Sequence, residues 1–205
     1  MGVMEERFRA LAACDPVLPA AYRRAHYIQS TTSAYISTDY VPQRYDEFAV
    51  DFMLVGTPSS MQCLLSAGTG SYQLIFLEYG SSGSSYYCRY FSSGNAATFD
   101  AGTSKGNRYQ MTISSGGVFA LNGQTITKAS DGTLDGNNTN LWIFRRRNDT
   151  YPFIGKLYGF TVTNKGTKTL ELIPCVRVSD SVAGVYDTVS RTFYSSANSD
   201  SFIAG

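Results

Sequence analysis

From Ala25 onward the chain alternates apolar and polar residues with a period of two, the signature of strands that bury one face. "HYIQSTTSAYIST" (26–38) reads as two short strands around a Ser/Thr turn. "EFAVDFMLVG" (47–56) is a strand of strong β formers stopped by Gly56, Thr57 and Pro58. "MQCLLSAG" (61–68) follows, and then "YQLIFLEYG" (72–80) and "YYCRYFS" (86–92), which a short Gly/Ser loop joins as a hairpin. "AATFDAG" (96–102) is a weaker strand. "RYQMTISSGGVFALNGQTIT" (108–127) holds two or three, with turns at Gly116-Gly117 and Asn122-Gly123. The stretch 128–140 has no apolar period and reads as a long polar loop. "LWIFRRR" (141–147), "FIGKLYGFTVTN" (153–164), a Lys165-Gly166 turn and "KTLELIPC" (168–175) precede a closing hairpin with aromatic arms, ending near Ser196.

Only the beginning breaks this period. In "MEERFRALAAC" Met4, Phe8 and Leu11 share one helical face, and Asp15-Pro16 and Pro19 end the run. Residues 1–24 are therefore expected to form a short helical arm or a linker, and 25–205 a single domain. About a dozen short strands, frequent turns and no second helix predict an all-β sandwich, jelly roll or barrel. No internal repeat argues for a propeller.

Composition narrows the function classes. Among 205 residues, 15 are Tyr and 12 Phe, while 16% are charged and the net charge is +1. So balanced a chain gives no electrostatic case for nucleic acid or a membrane surface, with Arg145-Arg146-Arg147 as the local exception. No apolar run is long enough to span a bilayer, and the first 24 residues do not read as a secretory signal. Cys14, Cys63, Cys88 and Cys175 lie too far apart for a CxxC metal or redox pair, so buried thiols are expected.

Two stretches carry a family resemblance. In 27–55, Tyr27, Ile28, Ser30, Thr31, Tyr35, Ile36 and Thr38 form a "Tyr-Ile-x-Ser-Thr-x-x-x-Tyr-Ile-x-Thr" opening. In 153–205, Gly155, Leu157, Tyr158 and Phe160 form a central strand, Pro174-Cys175 a strand end, and Gly184, Tyr186, Asp187, Phe193 and Tyr194 a closing hairpin. This pattern resembles the concanavalin A-like (laminin-G-like) jelly-roll domains of gut bacterial and prophage surface or tail proteins. The resemblance implies two stacked antiparallel sheets with the first and last strands close together. It implies glycan binding or structural display, in a virion or extracellular surface structure, beside other subunits and in homo-oligomers. It fixes no ligand, because the fold hosts lectins, glycosidases and spacers alike. Within the closing hairpin, Gly184 is expected to meet a backbone need, and Tyr186, Phe193 and Tyr194 to pin the strands.

Catalysis finds little support in the residues. The glycosidase branch of that superfamily places its carboxylates on one strand as Glu-x-Asp-x-(x)-Glu, and no such run exists here. Glu47 and Asp51 stand four apart on one strand, roughly 13 Å, beyond the separations glycoside hydrolysis uses. Glu78 and Glu171 sit singly, leaving a cross-strand pair as the enzymatic alternative. The single histidine, His26, has no triad partners in sequence, and no nucleophile elbow or phosphate loop appears. No cofactor is expected. Calcium is the secondary candidate, since Asp131, Asp135, Asn137 and Asn138 crowd one loop, but the bidentate Glu of an EF-hand is missing.

Contact residues are easier to nominate, because sugar sites combine apolar ring faces with a few placed polar groups. Tyr86, Tyr87, Arg89 and Tyr90 line one aromatic strand. Alternation along 141–147 places Leu141, Ile143, Arg145 and Arg147 on one face and Trp142, Phe144 and Arg146 on the other. Trp142, Arg145 and Arg147 complete the candidate site, and its arginines favour an acidic partner such as a sialylated or sulfated glycan. The expected function is a non-catalytic glycan- or host-surface-binding module; the alternatives are a structural spacer and a glycosidase with cross-strand carboxylates.

Overall fold

The computed structural model describes residues 18–55, 62–68, 74–79, 85–89, 96–100, 106–114, 117–127, 139–147 and 151–205. In 74–79, 85–89 and 96–100 only Cys88, Thr98 and Phe99 carry described side chains. The expected N-terminal helix, Cys14, Tyr90 and the candidate calcium loop lie outside the described residues.

Among the described residues seventeen strands run, in chain order, as β1 (Tyr22–Arg24), β2 (Ile28–Ser30), β3 (Ile36–Ser37), β4 (Asp46–Leu54), β5 (Gln62–Ala67), β6 (Leu74–Tyr79), β7 (Ser85–Arg89) and β8 (Ala96–Asp100). They continue with β9 (Arg108–Ile113), β10 (Val118–Leu121), β11 (Gln124–Thr127), β12 (Trp142–Ile143), β13 (Gly155–Asn164), β14 (Thr167–Arg177), β15 (Ala183–Asp187), β16 (Thr192–Tyr194) and β17 (Ile203–Ala204). They form two antiparallel sheets of a jelly-roll sandwich. The large sheet has the order β11-β10-β9-β4-β13-β14-β15-β16, with β1 on β14, β2 on β13 and β17 on β2. The small sheet has the order β3-β12-β5-β6-β7-β8. The two strands read in 26–38 separate: β2 joins the large sheet and β3 crosses to the small one.

The sequence pattern explains why these segments pair as they do. In β4, Asp46, Phe48, Val50, Phe52 and Leu54 are buried and the residues between them half-buried, so one face meets the core and the other meets solvent. Met111 and Ile113 from β9 and Phe160 and Val162 from β13 join the same inner face. Ile36, Leu65 and Ile143 close the core from the small sheet. Phe144, Phe153 and Phe202 fill one end, with ring centroids 5.3 Å apart for Phe144–Phe202 and 6.2 Å for Phe144–Phe153. Each such ring withdraws enough apolar area to contribute about 2–3 kcal/mol. Two of the expected turns form as read: Asn122 and Gly123 both take positive φ, as do Lys165 and Gly166, the geometry of two-residue hairpins; Gly116 of the third lies outside the described residues.

Buried polar groups mark the fixed corners. Asp46 is fully buried and accepts hydrogen bonds from Tyr40 Oη (2.6 Å), the Gln43 amide (2.6 Å) and Asn164 Nδ2 (2.8 Å). Burial raises its pKa above the usual carboxylate range, and the three donors oppose that rise. Cys63, Cys88 and Cys175 are buried thiols, and burial pushes Cys175 up to about 12, which makes it unreactive at neutral pH.

The last strand lies beside β2, the first strand of the expected 25–205 domain, as the resemblance implied. β17 pairs with β2, and the Gly205 amide and carbonyl bond to the backbone of His26 and Tyr27. At the other side β1 pairs with β14, and Tyr22 packs on Tyr186 (4.8 Å) and Phe193 (5.2 Å) of the closing hairpin. Tyr22–Arg24 thus belong to the sheet, although the expected boundary places them in the arm. Gly184 stands where the backbone need was read: a Cβ there would overlap the Tyr194 carbonyl oxygen and come within 2.8 Å of Phe193 Cζ.

Candidate functional site

The exposed face of the large sheet contains an open groove of about 340 Å³. Its cause is a fork in the sheet. From Phe160 onward β13 pairs with β14, whereas its first three residues pair with β2 instead. β14 then takes β1 as its neighbour, through Cys175 and Arg24. A β-bulge sits at the branch, where the β4 register shifts between Leu157 and Gly159. The bulge turns Tyr158 and Gly159 outward in succession and leaves the floor without a side chain at Gly159, above which a Cβ would meet nothing within 4 Å.

Five strands supply the walls. β4 and β9 contribute Asp51, Arg108 and Gln110; β13 contributes Tyr158 and Thr161; β14 contributes Glu171 and Ile173; β1 contributes Arg24. Asp51 holds Arg108 in a two-point pair, Nε to Oδ1 and Nη2 to Oδ2, both 2.6 Å. The hydrogen bonds to Asp51 raise the Arg108 pKa further above its already high value. The guanidinium also lies 4.0 Å from the Tyr158 ring centroid, and Tyr158 meets Tyr27 edge-on at 5.7 Å. Across the groove, Glu171 accepts from Lys168 Nζ and Thr188 Oγ1, each at 2.5 Å.

Glu171 pairs with Thr161, which pairs with Ala49, two residues from Asp51. Two strand spacings and a two-residue offset put the Cα atoms of Asp51 and Glu171 roughly 12 Å apart. Glu78, the other single carboxylate read from the sequence, lies on β6 opposite Cys63 and Tyr87, with its side chain outside the described residues. His26 is exposed, and its amide donates to the Gly205 carbonyl. Among the described residues no group of three or more His, Cys, Asp or Glu could hold a metal ion.

The nominated contact residues fall elsewhere, on the small sheet. Tyr86, Tyr87 and Arg89 belong to β7, but their side chains lie outside the described residues. β7 stands three strands from β12 in the order of that sheet, roughly 14 Å. Trp142, Arg145 and Arg147 do come together, and Tyr35, which the sequence did not mark as a contact residue, joins them. Trp142 packs on Tyr35 with centroids 4.7 Å apart; Arg145 lies 5.1 Å from the Tyr35 centroid and Arg147 5.3 Å from that of Trp142.

This arrangement corrects the alternation read along 141–147. The strand lasts only two residues, Trp142 and Ile143, because Phe144 takes φ +70°. The reversal carries Arg145 and Arg147 to the side of Trp142 rather than that of Ile143. Ser66 fixes the turn: its hydroxyl donates to the Arg145 carbonyl (2.9 Å) and accepts from the Arg147 amide (2.8 Å).

No protein-family model matches the chain, and no curated protein matches it. Two solved structures share its strand arrangement in part. A heptameric SAP-like pentraxin from Limulus polyphemus is 12% identical over 72% of each chain, with a TM-score of 0.42. A Trypanosoma rangeli sialidase, solved in complex with sialic acid, is 13% identical over 73% of this chain, with a TM-score of 0.51. This chain spans 27% of the sialidase chain. At that identity the likeness to the sialidase concerns the fold alone.

Proposed function

We propose that the chain is a non-catalytic carbohydrate-binding module whose saccharide site is the groove at the fork of the large sheet. One observation carries this reading: the bulge at Tyr158-Gly159 opens a floor between walls of planar polar side chains. Asp51, Arg108, Gln110 and Glu171 present forks and carboxylates suited to pairs of hydroxyl groups, and Tyr158 adds aromatic surface. The groove charges are largely compensated, since Arg108 is held by Asp51 and Glu171 by Lys168. A neutral saccharide fits such a surface better than a strongly charged one.

The same pairs argue against hydrolysis. A general acid needs a proton to give and a nucleophile needs a free oxygen. Both oxygens of Asp51 and both of Glu171 already accept hydrogen bonds from neighbouring side chains.

Glycan-array screening followed by calorimetric titration of the hits tests the site. The wild-type chain is expected to bind a saccharide saturably, and Gly159→Leu to weaken it by about tenfold or more, 1.4 kcal/mol. Because a side chain at 159 projects into open space, its melting temperature should stay within a few degrees of wild type. A Gly159→Leu chain that binds as wild type would overturn the placement, and an array without hits would favour the spacer reading. The setting in a phage particle or bacterial surface structure, beside other subunits, follows from the resemblance in 27–55 and 153–205. Mass spectrometry of purified particles checks it, and a chain absent from them would remove that setting.

A further inference from the structure

We infer that the Tyr35–Trp142–Arg145–Arg147 platform is a second binding site, separate from the groove, for the carboxylate or sulfate of an acidic saccharide. Two independent features build it. First, the backbone is strained in order to present it. Phe144 is fully buried at φ +70°, a conformation that bulky residues rarely adopt. Its amide donates to the Leu64 carbonyl (2.6 Å), its carbonyl accepts from Phe153 (2.8 Å), and its ring is packed against Phe153 and Phe202. The surroundings enforce the reversal that brings both arginines over the aromatic pair.

Second, stacking orients the donors. A guanidinium lying over a ring keeps its N–H groups in its own plane, directed past the ring edge. Arg147 is held this way over Trp142 and Arg145 over Tyr35, so little rotamer freedom remains to be lost when an anion arrives. Arg147 has no carboxylate partner among the described residues, and its Nε makes no hydrogen bond there.

The chemistry of these groups selects the ligand class. The arginine side chains are donors without acceptors, which suits an oxyanion with two or three acceptor oxygens. The adjoining Tyr35 and Trp142 rings offer an apolar face for the sugar that carries it. Trp142 has the small Ser37 and Ser66 beside it on the adjacent strands.

Titration of the full chain with three hexasaccharides, one sulfated, one of uronic acids and one neutral, tests the inference. At least one acidic probe should bind, with an affinity that falls as salt rises. Preference for one acidic probe then assigns the sulfate or the carboxylate. Arg147→Ala should weaken acidic binding by about tenfold or more, and Arg147→Lys should recover only part of it because a single ammonium lacks the fork. Gly159→Leu should leave this binding intact, which separates the platform from the groove. The inference is overturned if neither acidic probe binds, if Arg147→Ala and Arg147→Lys bind as wild type, or if Gly159→Leu abolishes the binding. Equal or tighter binding of a short oligonucleotide through the same arginines would also overturn the saccharide class.

Discussion

Replacing Asp187 with alanine is expected to lower the stability of the fold by about 4 kcal/mol, the cost of stranding several buried donors at once. Asp187 is almost fully buried. Its Oδ1 accepts from the amides of Glu171 and Val189, both 3.0 Å, and its Oδ2 accepts from the Ser190 amide (3.2 Å) and hydroxyl (2.5 Å). One carboxylate therefore ties β14 to the turn that joins β15 and β16. In a chain of this length each kcal/mol moves the midpoint by about 2–4 °C, so thermal unfolding should shift down by about 8–16 °C. Asp187→Asn is the sharper test. Both carboxylate oxygens face donors, so an amide nitrogen meets an N–H or O–H whichever way it is turned. Asparagine should thus fail to rescue although it matches the shape. A melting temperature within two degrees of wild type in both variants would refute this account of the hairpin.

Gly184→Ala is expected to cost about 3 kcal/mol, the upper range for forcing a methyl group into filled space. The added carbon would press on the backbone carbonyl of Tyr194, which cannot swing aside as a side-chain tip can, and on the ring of Phe193. Separating β15 from β16 would also loosen the Tyr22 stack on Tyr186 and Phe193, and with it the seat of β1. Chemical denaturation should show the loss at an unchanged denaturant slope. Gly159→Ala is the matched control, since it sits in a strand of the same sheet and meets nothing. Equal stability of the two alanine variants would show that close approach is not what position 184 requires.

The two glycines show what a sequence can and cannot reveal. Gly184 stood inside a recognisable closing pattern with Tyr186 and Asp187, so its structural part was legible. So were β4, through its apolar alternation, and the Asn122-Gly123 hairpin, through its turn chemistry. The groove was not legible, because its walls come from β1, β4, β9, β13 and β14, and strand registers between such distant segments leave no local trace. One clue was present: Leu157-Tyr158-Gly159-Phe160 breaks the two-residue alternation, and a glycine inside a strand often marks a bulge. The platform was half legible. Trp142, Arg145 and Arg147 were nominated from residue type, but Tyr35 lies over a hundred residues earlier and joins them only because β3 crosses to the small sheet. The reversal at Phe144 had no glycine or asparagine to announce it.

Arg24, on the three-residue β1, has a practical bearing on how the domain is handled. A fragment trimmed at Ala25, where the change of period invites the cut, would lose Tyr22, whose ring seals the hairpin, and Arg24, which lines the groove. Grafts, fusions and crystallisation fragments should keep the leading residues from Leu18 onward. A pull on Leu18 to Arg23 is therefore transmitted to Arg24 and to the groove wall it forms.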